Sequence, residues 1–239
     1  MTRLILDPSF TELFPDARLA VLSVRGIRKS AQLQEAAAEE LAALLREANE
    51  AAGKYLISDT ISENPVPAAW RQAYRKFNAK KGARCSIENL LKRVLHNHPV
   101  GSIAPTVDIT NAVSLKYAFP VGAENLDAFV GDLHLGIMKG GESFLPIGAD
   151  KEDPALPGEL AYYDEAGVVC RCFNWRDGQR TMVTDDTTAE FIVMECIEPD
   201  RVHELELALE ELAELMQKYT GAEIIAKTIV SKDNPETEL

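Results

Sequence analysis

Apolar residues recur at helical spacing over residues 31–52, where Leu33, Ala37, Leu41, Leu44, Leu45 and Ala48 share one face while Glu35, Glu39, Glu47 and Glu50 fall elsewhere. That pattern predicts an amphipathic helix, with Gly53 as its stop. A second long helix is predicted over about 200–219, with Val202, Leu205, Leu209, Leu212 and Met216 inward and Gly221 just beyond its end. Shorter helices are expected over Trp70–Phe77, from a capping Ser86 through Leu95, and over Asp108–Tyr117, ended before Pro120. Arg18–Arg25 reads as a strand. From Leu133 the period shortens to strands over 133–138, 144–147, 159–163, 167–173 and 189–197, punctuated by Pro146, Gly148, Pro154, Pro157 and Gly158. Residues 222–230 read as a closing strand, and 233–239 as a disordered tail. The fold class expected is α+β: one composite domain over 1–232, with a β-rich core over about 65–197 and flanking helix and strand elements over 1–64 and 198–232.

At 239 residues and 46% hydrophobic content, the chain is long enough to bury a full core. No apolar run approaches the roughly 20 residues of a membrane span, and Met1–Pro8 lacks the apolar stretch of a signal peptide. Cys85, Cys170, Cys172 and Cys196 show no CxxC spacing and read as reduced thiols, so a cytoplasmic location without membrane association is expected. No P-loop, no GxGxxG after a strand and no GxSxG elbow is present, and no cofactor is expected. His96-x-His98 lies where a helix ends and lacks Cys or carboxylate partners, so no metal is expected either.

Charge changes the picture locally. The net charge is −13, yet residues 71–93 carry Arg71, Arg75, Lys76, Lys80, Lys81, Arg84, Lys92 and Arg93 against Glu88 alone. A basic patch on an acidic body steers a phosphate backbone to one face; the bland alternative is the solvated outer side of two helices. Trp70, Tyr74 and Phe77, at helical spacing among these charges, read as that helix's buried stripe rather than as a base-stacking platform.

Candidate chemistry concentrates in Phe173–Thr181, where Asn174, Trp175, Arg176 and Asp177 follow a strand-like run over 168–173. A strand feeding a polar, aromatic-bearing turn either presents functional groups or is a solvated hairpin connection. A second stretch, Val107-Asp108-Ile109-Thr110-Asn111-Ala112-Val113-Ser114-Leu115, resembles the "VDxTNYxxLEL" signature of the tRNA-editing domain in the beta subunit of bacterial phenylalanyl-tRNA synthetase. The order downstream is also similar: Leu126–Phe129, Gly131–Leu133, Gly141-Glu142, Pro157–Leu160, then Val183-Thr184 with Thr187-Thr188 before an apolar strand. Spanning roughly 65–197, the resemblance is closest to free-standing relatives of that domain.

The resemblance implies hydrolysis of an aminoacyl ester at the 3′ end of a mischarged tRNA, with tRNA and an amino acid moiety as partners. It marks Asn111 and Asp177 as candidate catalytic groups. Thr110, Asn174, Trp175, Arg176 and Thr184 become candidates for substrate binding, with Arg176 facing inward. Arg71, Arg75, Lys76, Lys80, Lys81 and Arg84 become candidates for tRNA binding. Two departures stand out: Pro120–Asp127 lacks the His of the synthetase's "PLHAFD", and Arg176-Asp177 stand opposite the glutamate of its "MGGE". Two readings follow, a trans-acting deacylase or a non-catalytic binder of an amino acid or charged tRNA end.

Overall fold

The computed structural model describes residues 2–239. Two sheets lie face to face, and helices cover the outer side of the second. The first sheet contains β1 (Arg3–Leu6), β4 (Leu133–Ile137), β5 (Leu160–Asp164), β6 (Gly167–Arg171), β7 (Arg176–Asp177) and β10 (Glu236–Glu238), in the order β10-β1-β4-β5-β6-β7. The second contains β2 (Arg18–Arg25), β3 (Val121–Asn125), β8 (Ala189–Cys196) and β9 (Glu223–Ser231), in the order β3-β8-β2-β9, with every pairing antiparallel. The helices are α1 (Pro8–Leu13), α2 (Glu35–Ala51), α3 (Pro65–Ala73), α4 (Ser86–Leu95), α5 (Pro105–Tyr117) and α6 (Val202–Leu215). The fold is α+β.

Strand β8 shows why the layers stack this way. It is buried along its whole length, so both faces need apolar neighbours. Ala189, Phe191 and Val193 join the core between the sheets, with Leu19 and Val21 of β2 and Leu135 and Leu160 of the first sheet. Ile192, Met194 and Cys196 point the other way, into a second core built with Leu41 of α2, Ile109 and Val113 of α5, and Leu205, Leu209 and Leu212 of α6. The period-two alternation thus sorts one strand between two cores.

Several expectations are corrected. The long N-terminal helix begins at Glu35, after a short 3₁₀ turn at Ser30–Gln32 and an extended Leu33-Gln34, rather than at residue 31. Helix α3 starts at Pro65 and ends at Ala73; α5 starts at Pro105, because proline pre-sets the first helical turn. Cys85, not Ser86, is the N-cap of α4, and the Ser86 hydroxyl has no partner. The expected strand 144–147 makes a single bridge, Pro146 to Gly178, since proline lacks the N–H a ladder needs. Residues 236–238, expected disordered, pair with β1, and Leu239 is buried, because β1 offers an otherwise open sheet edge.

The turn from β6 to β7 is strained. Cys172 and Phe173 have φ of 50° and 70°, a left-handed conformation costing a non-glycine residue roughly 1–2 kcal/mol. Packing sets it: the fully buried Phe173 ring lies 5.4 Å from Trp70, 5.5 Å from Phe10 and 5.8 Å from Phe14 between ring centroids. Beside it, buried Arg171 forks onto Glu159 at 2.8 and 2.6 Å, and Glu159 also accepts from the Cys172 amide at 3.2 Å. Phe173→Ala should lower stability by about 3–5 kcal/mol in urea unfolding followed by tryptophan fluorescence. A loss under about 1 kcal/mol would show that the aromatic cluster does not hold this turn.

Candidate functional site

The strained turn delivers Asn174, Trp175 and, through β7, Asp177 to a cavity of about 60 Å³ between the sheets. The first sheet contributes Tyr162, Cys170 and Asp177; the second contributes Gly122 and Glu124 of β3, and Glu195 of β8. Asn174 is the hub. Its Oδ1 accepts from the Tyr74 hydroxyl at 3.0 Å, its Nδ2 donates to Glu195 at 3.2 Å, and its carbonyl accepts from the Ser86 amide at 3.2 Å. Tyr162 closes the far side by donating to Glu195 at 2.9 Å.

Three acidic side chains therefore face a poorly solvated space. Burial pushes the Glu195 carboxyl up to about 8, against the two hydrogen bonds from Tyr162 and Asn174 that favour its ionised form. Burial, and then the charge of Asp177, raises Glu124 well above the carboxylate range; its carboxyl faces Thr181 and Asp177, although neither oxygen makes a well-formed hydrogen bond among the described residues. Burial raises Asp177 as well. Carboxyls held near neutrality can take or give a proton in working conditions. Cys170, also in the wall, is pushed up by burial and stays a thiol.

Adjoining this cavity is a basic cleft of about 310 Å³. Arg71, Arg75, Lys80, Lys81 and Arg84 line it against Glu88, and the two linings meet where the cleft's Tyr74 donates to the cavity's Asn174 and where Cys85 adjoins Ser86. Buried Glu88 fixes Arg71 through bonds of 2.7 and 3.0 Å and approaches Arg84 at 3.7 Å. Lys80 pairs with Asp153, which also reaches Arg171, so Lys80 is tied into the support of the turn. Arg75 and Lys81 are exposed and carry no carboxylate partner among the described residues. Lys76 lies outside the cleft, bonding the Leu13 carbonyl and capping the Phe14 ring.

The other candidates separate. Arg176 is exposed and flanks the Trp175 ring, so it does not face inward; its neighbour Asp177 does, as alternation along a strand requires. Thr110 bonds the Val107 carbonyl inside α5, and Asn111 follows it; neither lines this cavity or the basic cleft. Thr184 lines a different cleft at the start of α5, together with Thr187 and Glu190. Glu124, Glu190 and Glu195 are absent from the sequence-based candidates. The signal was a charged residue inside an otherwise apolar central strand, as in Ala189-Glu190-Phe191-Ile192-Val193-Met194-Glu195.

A family model described as the B3/4 domain matches residues 69–221, most of the chain, and the protein belongs to that family. An N-terminal fragment of the phenylalanyl-tRNA synthetase beta-subunit from Pyrococcus horikoshii shares the fold, with a TM-score of 0.50 and 13% identity over 96% of this chain and 52% of that one. The chain thus spans about half the length of that fragment. No curated protein matches it. Among the described residues, no helix is long and apolar enough to cross a membrane.

The buried carboxyls give stability a definite pH dependence. A carboxyl with a raised folded pKa binds more protons folded than unfolded, so its contribution is intact at low pH and lost as pH rises. For Glu195 the window runs from 4.5 to about 8. Stability should fall across pH 5–8 by up to about 1.4 kcal/mol per pH unit for each such group that stays protonated. Urea midpoints measured through this range should decline for the wild type and decline less for Glu195→Gln. A flat wild-type profile would mean these carboxyls are hydrated.

Proposed function

We propose that the protein receives the aminoacylated 3′ end of a tRNA and hydrolyses the ester of a mischarged one in trans. The observation that carries this reading is the adjacency of two concavities: a cleft lined by five cations abuts, through the Tyr74–Asn174 hydrogen bond, a cavity lined by the buried Glu124 and Glu195 and the half-buried Asp177. A phosphate backbone is attracted to the first, while the second has no Lys or Arg in its lining to hold one. An aminoacyl ester is already activated, so a positioned water and one base suffice without a protein nucleophile.

Asp177 is the proposed base, accepting the proton of a water as its oxygen bonds the ester carbonyl carbon. Collapse of the tetrahedral species then breaks the bond to the ribose oxygen, which leaves with a proton. Glu124, facing Asp177 and held protonated by burial, is the proposed proton donor. The carboxyl oxygens of the cavity can accept from the ammonium group that every aminoacyl ester carries, and Asp177, once ionised, supplies its counter-charge. The Asn174 hub ties the turn leading to Asp177 onto Glu195 of β8, making it a positioning residue.

The deciding assay incubates the protein with a panel of charged and mischarged tRNAs. At least one ester should be cleaved, faster as pH rises above the ordinary carboxylate range, because Asp177 must be ionised to act. Asp177→Asn should reduce cleavage by about 10²–10⁴-fold with tRNA affinity unchanged. Arg75→Glu with Lys81→Glu, which breaks no ion pair, should weaken tRNA binding and reduce its salt dependence. Binding of a charged tRNA without cleavage would identify a carrier rather than a hydrolase, and unchanged cleavage by Asp177→Asn would remove Asp177 as base.

A further inference from the structure

A third concavity, of about 280 Å³, lies on the opposite face of the second sheet. Residues 27–30 after β2, the first turn of α5 and the 183–187 loop line it, with Glu190 of β8 at its floor. The deacylation reading uses none of these groups.

The cleft holds opposite polarities at two places. At one, α5 presents its N-terminus: Pro105 has no N–H, and the Thr106 and Val107 amides find no acceptor among the described residues. A helix start of this kind attracts an anion. Arg28 stands exposed at the same cleft. The neighbouring groups are already committed, Lys29 to Asp186 at 2.6 Å and Ser30 to Asp185 at 3.0 Å; Arg28, whose guanidinium lies against Gly221, has no carboxylate partner among the described residues. At the other place sits Glu190, only 1% exposed; Thr106 bonds its carboxyl, and its Oε2 has no hydrogen-bond partner among the described residues. Burial raises its carboxyl to about 7, so it is partly ionised at neutral pH. A buried acceptor left unpaired costs roughly 1–3 kcal/mol unless a ligand donates to it.

A simple anion satisfies the helix start and Arg28 but is repelled by Glu190. A simple amine satisfies Glu190 and leaves the helix start empty. A ligand bearing both charges satisfies the two together, and a volume of about 280 Å³ fits a small one. We infer that this cleft binds a free α-amino acid as its zwitterion, carboxylate on the first turn of α5 and Arg28, ammonium on Glu190. The Thr184 and Thr187 hydroxyls, both in the lining, are bonded within the 184–187 turn and so fix that side of the cleft. An aminoacyl ester lacks the free carboxylate, so the cleft discriminates a released amino acid from one still attached to tRNA. The inference is independent of the deacylase reading.

Calorimetric titration of the full chain at pH 8 with free amino acids, up to about 10 mM, tests it. At least one should bind. Its N-acetyl derivative, its decarboxylated amine and inorganic phosphate should each bind at least about tenfold more weakly, because each lacks one of the two charges. Glu190→Gln and Arg28→Ala should each lose about tenfold; Arg28 is exposed, so its variant folds even if a change at the buried Glu190 does not. Absence of binding by any amino acid would overturn the proposal. So would a phosphate or N-acetyl derivative binding as tightly as the amino acid, or unchanged affinity in Arg28→Ala.

Discussion

One side chain ties the architecture to the site. Asn174 accepts from Tyr74 and donates to Glu195, while its carbonyl takes the Ser86 amide, so a single residue links the segment after α3, the start of α4, the β6–β7 turn and the central strand β8. It can do so only because Cys172 and Phe173 adopt left-handed conformations that swing it inward. That strain persists because the surrounding aromatic rings and the Arg171–Glu159 pair leave the turn no better alternative. Lys80 extends the same scaffold through Asp153. Basic cleft and acidic cavity are therefore two sides of one braced wall.

On the proposed reading, this arrangement lets an acidic chain address a polyanion. The net charge of −13 disfavours nucleic acid everywhere except where α3, α4 and the loop between them gather cations. The lining changes across a few side chains from cations, Arg75, Lys81 and Arg84, to carboxyls, Glu124, Asp177 and Glu195. A tRNA end would be drawn to the first set, while its attached ammonium suits the second. The same burial that perturbs the carboxyls costs stability at neutral pH, the usual relation between a working site and the fold that holds it.

The helical part of the fold and the α+β class were legible in the sequence. Long amphipathic runs such as 35–51 and 202–215 carry their own period, and β2 shows its limits through a continuous apolar run. Strand β3, Val121-Gly122-Ala123-Glu124-Asn125, was not legible: its residues favour no strand, and pairing with β8 makes it one. With β3 unseen, Glu124 had no reason to be inward, and Glu195 read as one polar position in an apolar run. The turn at 173–181 and most of the basic segment stood out because charge and aromatic residues concentrate there. Which of Arg176 and Asp177 faces the cavity depends on the strand's pleat, and Asn111's separation from both depends on where α5 packs.

The central claim is that the basic cleft and the acidic cavity act as one site for a charged tRNA end. It is tested most directly by NMR of the protein with an acceptor-stem RNA carrying a 3′-amide-linked amino acid, which binds but cannot be hydrolysed. The account predicts simultaneous perturbation of Arg75 and Lys81 in the cleft and of the Asn174 side-chain amide and Asp177 at the cavity, with the cavity signals lost when the RNA is uncharged. Perturbation of the cleft alone by charged and uncharged RNA alike, or of neither, would contradict it.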